Sequence, residues 1–391
     1  MLKKFLIWLG VGIAVIILGH GSITLANTTP LRSKLWLPQS IAPQVADLGF
    51  DDQIWGNGNN AGDKANLLSA IDNSLGYLRT NTAARTYING VHGLSRDKVL
   101  ASVQRFRDLV ELSTTPSELQ AAVKREFTWY KSVGRDNQGT VQFTAYFEPV
   151  YTASPVPTAE YRYPLYRMPT NDFGNPSRLD IEGRDGTGVN GPLQGLEIAW
   201  LRDRLQAYLV HVQGSARLQF PNGEIKSIGY AGKTSYSYIS IGRELVRDGV
   251  LPAEGLTLPV MITYFQQYPE ALSEYLPRNR SYVFFRETNG AQATGSIGVP
   301  VTADRSIATD KSLMPPGALA MIRTQIPFPA ANGGLEKRLV NRFVLDQDTG
   351  GAIIGAGRVD IFLGTGEVAG DRAGIVTDTG ELYYLLLNNE Q

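Results

Sequence analysis

The sequence contains no cysteine at all. That excludes disulfide staples, thiol catalysis and cysteine-ligated metal, so the core alone must hold the fold, which 391 residues allow. It also excludes a lipid anchor on an N-terminal cysteine. Histidine is nearly as scarce, with His20, His92 and His211 the complete set. His20 lies in the N-terminal segment that reads as a signal peptide. The other two could not build an ordinary zinc site without carboxylates, and Ser-His-Asp catalysis is poorly supported. No metal and no cofactor are expected. A charge surplus is missing too: Lys plus Arg and Asp plus Glu both total 37. Phosphate contacts favour a basic surplus, so no nucleic-acid partner is expected.

What is present begins with "MLKKFLIWLGVGIAVIILGHGSITLA". Lys3 and Lys4 precede a continuous apolar run from Phe5 to Gly19. The run is short for a bilayer span and suits a signal-peptide core, and Thr24-Leu25-Ala26 is an acceptable cleavage site. Residues 1–26 are read as a signal peptide, with a retained N-terminal anchor as the alternative, and the body of the protein as exported. Residues 27 to about 60 are rich in Pro, Asn, Gly and Asp and read as an irregular arm.

Helices follow. Leu68, Ile71, Leu75 and Leu78 share a face, and Ser95 is placed to cap a helix carrying Val99, Val103, Phe106 and Val110. Thr115, Pro116 and Glu118 form a capping-box signature. After Gly134 the texture becomes β-branched and aromatic, and residues 152–194 read as loops with short strands. The stretch 196–233 reads as strands, with Pro221-Asn222-Gly223 as a hairpin turn. Helices return in "SYISIGRELVRDGV" and "YPEALSEYL", and from Tyr282 onward short strands are expected. The fold class is α+β, mainly β.

Two glycine motifs are decoys. "SIGYAGKT" has Ser227 where a phosphate loop needs glycine, and "GAGRVD" has Asp360 where a dinucleotide fingerprint needs its third glycine. Among the carboxylates, Asp360 stands out. It lies in "DTGGAIIGAGRVDIFLGTGEVAG" with Val359 and Ile361 on either side, which a strand would send to the opposite face. Flanking glycines would let a bulky substrate approach, and desolvation beside Phe362 would raise its pKa, as a general acid requires.

Several motifs in order then resemble one family. "FTAYFEPVY", "GLEIAW", "VHVQGSARLQFPNGE", "YAGKTSYSYISIGREL", "RNRSYVFFRE", "TADRSIATDKSLMPPG" and the glycine-rich tail resemble the membrane-bound lytic murein transglycosylase A (MltA) family from about residue 140 onward. The C-terminal part resembles that family's 3D domain, named for three aspartates. The resemblance implies a double-psi β-barrel domain with helices, a smaller inserted β-rich domain, and a groove between them. The expected boundaries are 27–150 and 282–391 for the barrel domain and 151–281 for the insert. It implies cleavage of the β-1,4 bond between N-acetylmuramic acid and N-acetylglucosamine, with the muramic C6 hydroxyl as nucleophile. One carboxyl can then serve as acid and base, where a hydrolase needs two.

By the same resemblance Asp360 is the catalytic residue, and Asp310 and Asp348 are supporting groups that fix loops. Thr144, Tyr146, Gln213, Ser215, Lys233 and Tyr238 are candidate sugar or peptide contacts. The implied partner is the peptidoglycan glycan strand, and a monomer in the periplasm or cell envelope is expected. The family's lipobox cysteine is missing, so any membrane association would run through the N-terminal segment. Two other readings stay open: a non-catalytic, expansin-like wall-binding protein, and a hydrolase pairing Asp360 with Glu148 or Asp348.

Overall fold

The computed structural model describes residues 36–39, 47–57, 60–89, 93–331 and 333–388. The expected signal peptide over 1–26, its cleavage site and His92 lie outside the described residues. The described residues belong to one compact unit, Arg32–Gln391. Among them no helix is long and apolar enough to cross a membrane.

Six strands close into a barrel. Thr379–Leu387 pairs with Leu319–Pro329, then come Leu335–Asp348, Ser306–Ala308, Arg358–Thr365 and Val141–Glu148, which pairs back onto Thr379–Leu387. Two of these contacts are parallel, 306–308 with 335–348 and 358–365 with 141–148. The others are antiparallel. A closed six-stranded barrel of mixed polarity agrees with the double-psi expectation. Closure leaves no free edge within the ring. Phe127–Ser132 and then Trp36–Gln39 extend the sheet from 379–387.

The strands from 282 onward are not all short. Leu319–Pro329 and Leu335–Asp348 have 11 and 14 residues and pair along the whole of 319–329. Their buried positions, among them Met321, Ile322, Phe343 and Leu345, meet helices Lys64–Leu78 and Arg96–Leu112 in one core. Arg96–Leu112 and the next helix, Pro116–Glu126, start as the sequence implies. Ser95 accepts from the Lys98 N–H and Thr115 from the Glu118 N–H, although Glu118 itself reaches back to Thr114. Arg305, fully buried, ties the N-terminal segment to the barrel through Asp51 at 2.6 Å and Asp63 at 2.6 Å.

A second sheet of six strands runs Val283–Glu287, Ile225–Lys233, Ser215–Gln219, Val150–Ser154, Glu197–Leu201, Tyr163–Tyr166. It takes in 283–287, just past the boundary expected at 281/282. The Pro221–Gly223 hairpin joins 215–219 to 225–233 in antiparallel register. The segment "SIGYAGK" lies in that paired strand and the next helix starts only at Ile241, so it forms no phosphate loop.

The reading of 196–233 as strands throughout is corrected. Arg204–Gln213 is a helix, capped by the Asp203 carboxylate on the Gln206 N–H and closed by Gly214 at φ 80°. It buries Leu205, Tyr208 and Leu209 against Ile241, Leu245 and Phe265, and tertiary packing of that face overrides the β-like composition of "AYLVHV". Helices Leu258–Gln267 and Glu367–Gly374 were likewise not anticipated.

Candidate active site

Strand register assembles the site. Asp360 lies directly opposite Thr144 on one side and Ala308 on the other. Ala308 in turn lies opposite Asp348. Register across the 141–148, 306–308, 335–348 and 358–365 strands thus brings Thr144 into one neighbourhood with Asp348 and Asp360, over 200 positions further along the chain. Val359 and Ile361 are buried in the barrel core, while Asp360 lies on the other face, as the alternation of a strand requires.

Thr144 Oγ1 donates to Asp360 Oδ1 at 2.6 Å, and Arg358 Nη2 donates to Thr144 Oγ1 at 2.9 Å. Asp360 Oδ2 has no hydrogen-bond partner among the described residues. Burial pushes the Asp360 carboxyl up to about 6, against the opposing pull of the Thr144 hydrogen bond and the Arg358 charge, with Asp348 adding a small push upward. Such a group is partly protonated near neutral pH and can both give and take a proton.

The neighbouring carboxylates are occupied. Asp348 accepts from the Tyr146 hydroxyl, the Ser296 N–H and the Thr349 N–H, each at 2.8 Å. Burial still holds its pKa above the ordinary value. Tyr146, tilted against the Phe362 ring at 5.2 Å, is kept neutral by burial and by Asp348. Asp310 accepts from the Gly355 N–H at 2.7 Å and from Ser312, pinning one loop to another. Burial works against it, but these bonds bring its pKa below the usual value. Glu148 is 1% exposed, paired with Arg217 at 2.8 Å and held by the Thr365 hydroxyl at 2.8 Å.

A pocket of about 260 Å³ opens beside Thr144. Gln213 and Tyr238 line it, with Tyr208, Met261 and Val376 among the other walls, so both the barrel and the helices next to the second sheet contribute. Gln213 is also tied down, its Oε1 accepting from the Phe147 N–H at 3.0 Å. Lys233 and Ser215 do not line this pocket. The Lys233 ammonium donates to the Tyr236 carbonyl at 3.2 Å, and Ser215 is buried at the start of its strand, opposite Gly229.

Residues 142–286 match the family model of the MltA specific insert domain, and residues 305–386 match that of the 3D domain. The chain is 33% identical over 255 residues to membrane-bound lytic murein transglycosylase A of Escherichia coli K12, covering 64% of this chain and 67% of that protein. It is 32% identical over 260 residues to the protein of the same name from Vibrio cholerae, covering 66% and 68%. The chain belongs to the membrane-bound lytic murein transglycosylase A family. Solved structures agree. A membrane-bound lytic murein transglycosylase from Agrobacterium tumefaciens aligns with a TM-score of 0.66 at 28% identity over 83% of this chain and 93% of that one. E. coli MltA with bound chitohexaose aligns with a TM-score of 0.64 at 28% identity over 81% and 89%.

Set beside other MltA-family motifs in this chain, two groups escaped sequence reasoning. Arg358 sits two positions before Asp360 and so on the same strand face, a spacing that was visible, but its partner Thr144 lies 214 residues away. Asp346, fully buried, accepts from the Thr309 and Tyr384 hydroxyls, each at 2.7 Å, and pairs with Lys311. Lys311 also donates to the Asp348 carbonyl, so this buried network holds the strand end that carries Asp348. Nothing in "VLDQD" distinguishes Asp346 from a surface carboxylate.

Proposed function

We propose that this chain is a peptidoglycan lytic transglycosylase that cleaves the β-1,4 bond between N-acetylmuramic acid and N-acetylglucosamine and leaves a 1,6-anhydromuramic acid end. The observation that carries the reading is Asp360, a carboxyl poised near pH 6 and bonded to the pocket-lining Thr144, with one oxygen unpartnered among the described residues while the neighbouring Asp348 and Glu148 are engaged. Protonated Asp360 gives its proton to the glycosidic oxygen as the C1–O bond breaks. The resulting carboxylate then takes the proton of the muramic C6 hydroxyl as that oxygen bonds to C1. The proton count returns to its start and no water is consumed. The nucleophile is tethered to the reacting sugar, which removes much of the entropic barrier.

Family membership supports the assignment, as does the chitohexaose bound by the E. coli relative, since chitohexaose is a β-1,4 hexosamine strand. In this reading the six-stranded barrel, whose strands come from 141–148 and from 306–387, carries the acid. The insert, 151–281, supplies the opposite wall, with Gln213 and Tyr238, which line the pocket, as sugar or peptide contacts. The enzyme acts as a monomer on glycan strands in the cell envelope, on the periplasmic side, and any membrane attachment runs through the N-terminal segment. A two-carboxylate hydrolase is disfavoured by the Arg217 and Thr365 clamp on Glu148 and the three donors on Asp348.

Mass spectrometry of purified peptidoglycan after digestion tests the proposal. Anhydro ends are expected. New reducing ends would point to the hydrolase, and binding without new ends would point to an expansin-like role.

A further inference from the structure

The polar chain that ends on Asp360 begins at Arg358, and its proton positions follow from donor and acceptor chemistry taken with the geometry. A guanidinium has five N–H donors and no lone pair to accept with. The 2.9 Å contact from Arg358 Nη2 to Thr144 Oγ1 can therefore run in one direction only. The Thr144 hydroxyl has one proton, and with an acceptor lone pair taken by Arg358 that proton is free to point at Asp360 Oδ1, 2.6 Å away. Oδ1 is then an acceptor. With the Thr144 proton directed at Oδ1, as in this arrangement, the acidic proton of Asp360 sits on Oδ2; a proton on Oδ1 would require the Thr144 hydroxyl to turn away and accept twice.

We propose that Arg358 is a positioning residue for the reaction: it orients the Thr144 hydroxyl toward Asp360 Oδ1 and so confines the acidic proton to Oδ2, the oxygen left to serve the glycosidic bond. The inference rests on the transglycosylase reading above. It also gives Thr144 a role other than sugar contact, because its only proton is already committed.

Other groups bear on the same carboxyl and were weighed. Asp348 and Tyr146 face it from the 335–348 and 141–148 strands, and Tyr146 is committed to Asp348 at 2.8 Å. Arg243 and Tyr238 stand near Arg358 from the segment that lines the pocket. None of these hydrogen-bonds to Asp360, so Thr144 is the group through which orientation can be passed. Arg358 acts in two ways that experiment can separate. Its positive charge favours the Asp360 carboxylate through space, and its hydrogen bond acts only through Thr144.

The test titrates Asp360 by carboxyl ¹³C NMR in the full chain, with Asp360→Asn used to assign the signal. It compares wild type, Arg358→Met, Thr144→Val and the double variant. In Arg358→Met the titration midpoint is expected to rise by about one pH unit, the low end of what an adjacent opposite charge does. It should rise in Thr144→Val as well. In the double variant the rise should fall short of the sum, because the two residues act in one chain. Kinetics on peptidoglycan fragments should show kcat falling about tenfold in Arg358→Met with KM little changed, and the alkaline limb moving up with the NMR midpoint. An unmoved midpoint in Arg358→Met would overturn the proposal. So would full additivity with Thr144→Val, which would leave a through-space charge and no relay, or a loss confined to KM, which would make Arg358 a substrate contact. If Arg358→Met does not fold, Arg358→Gln carries the same test with the same expected direction. The NMR titration needs no substrate. Wild-type protein that released no anhydro ends would defeat the functional reading, and the relay would still be decided by the midpoints.

Discussion

Replacing Asp360 with Asn separates the chemistry of this carboxyl from its cost to the fold. The amide keeps the shape and can still accept the Thr144 hydrogen bond at the Oδ1 position, so the barrel should form unchanged. Turnover should fall by roughly a hundredfold or more, the usual scale for removing a general acid–base group. Stability should move the other way. A carboxyl lifted from 3.8 to about 6 favours its protonated form in the folded state. Its contribution to stability is therefore fully present below the unfolded pKa near 4 and is lost as pH rises through about 6. A shift of that size corresponds to roughly 3 kcal/mol. Asn has no such titration. Urea unfolding of both proteins at pH 3.5 and pH 7.5 should show the variant gaining up to about 3 kcal/mol relative to wild type between the two conditions. Groups outside this cluster titrate equally in both proteins and cancel, while the Asp348 carboxyl, relieved of a neighbouring negative charge, changes only by the small coupling it has with Asp360. A stability difference that did not change with pH would show that Asp360 is not perturbed, and the argument for it as a general acid would fail even if the variant were inactive.

Three further outcomes are predicted. Asp348→Asn should lower stability together with rate, because the amide oxygen can still accept from the Ser296 and Thr349 N–H but the NH2 in place of Oδ2 cannot accept from the Tyr146 hydroxyl; thermal unfolding that left the midpoint unchanged would contradict that role. Arg305→Met leaves Asp51 buried without its partner and should cost about 3–5 kcal/mol in denaturant unfolding, and a loss under 1 kcal/mol would mean the cluster tolerates its own dissolution. Activity should survive EDTA, since the proton transfers assigned to Asp360 need no metal, and a loss restored by a divalent ion would reveal a carboxylate site that was overlooked.

The sequence was legible where local chemistry decides the outcome. Ser95 and Thr115 cap their helices, Pro221–Gly223 turns a hairpin, and the Val359–Asp360–Ile361 alternation sends the carboxyl to the face opposite the core. It was opaque where distant contacts decide. Arg204–Gln213 carries residues that suit a strand, and only its packing on 241–276 makes it a helix, although Asp203 and Gly214 mark its ends. Glu367–Gly374 has glycine at 370 and 374 and low intrinsic helicity. Its position against the barrel explains why glycine is kept there: a Cβ at Gly370 would come within 2.8 Å of the Phe147 ring. Within the site, Asp360 was legible and the Thr144–Arg358 chain was not, because no periodicity links residues over 200 positions apart in different strands.

The glycines around Asp360 were expected to make room for a thick glycan. The neighbour just before Arg358 has a different reason. A Cβ at Gly357 would fall 2.3 Å from the Arg135 backbone nitrogen, so this glycine permits two chain segments to touch where the 358–365 strand begins. That contact fixes where the strand enters the barrel and therefore its register with 141–148, which puts Asp360 opposite Thr144. A one-residue slip would turn Asp360 toward the core and Val359 toward the pocket face. The glycine is thus linked to catalysis through register. If Asp360 serves both proton transfers, as proposed, neither Asp348 nor Glu148 could compensate for its displacement, since both are held by other partners. Under the proposed single-acid mechanism, in which Asp360 must occupy one position, the tight backbone crossing at Gly357 is part of what places it there.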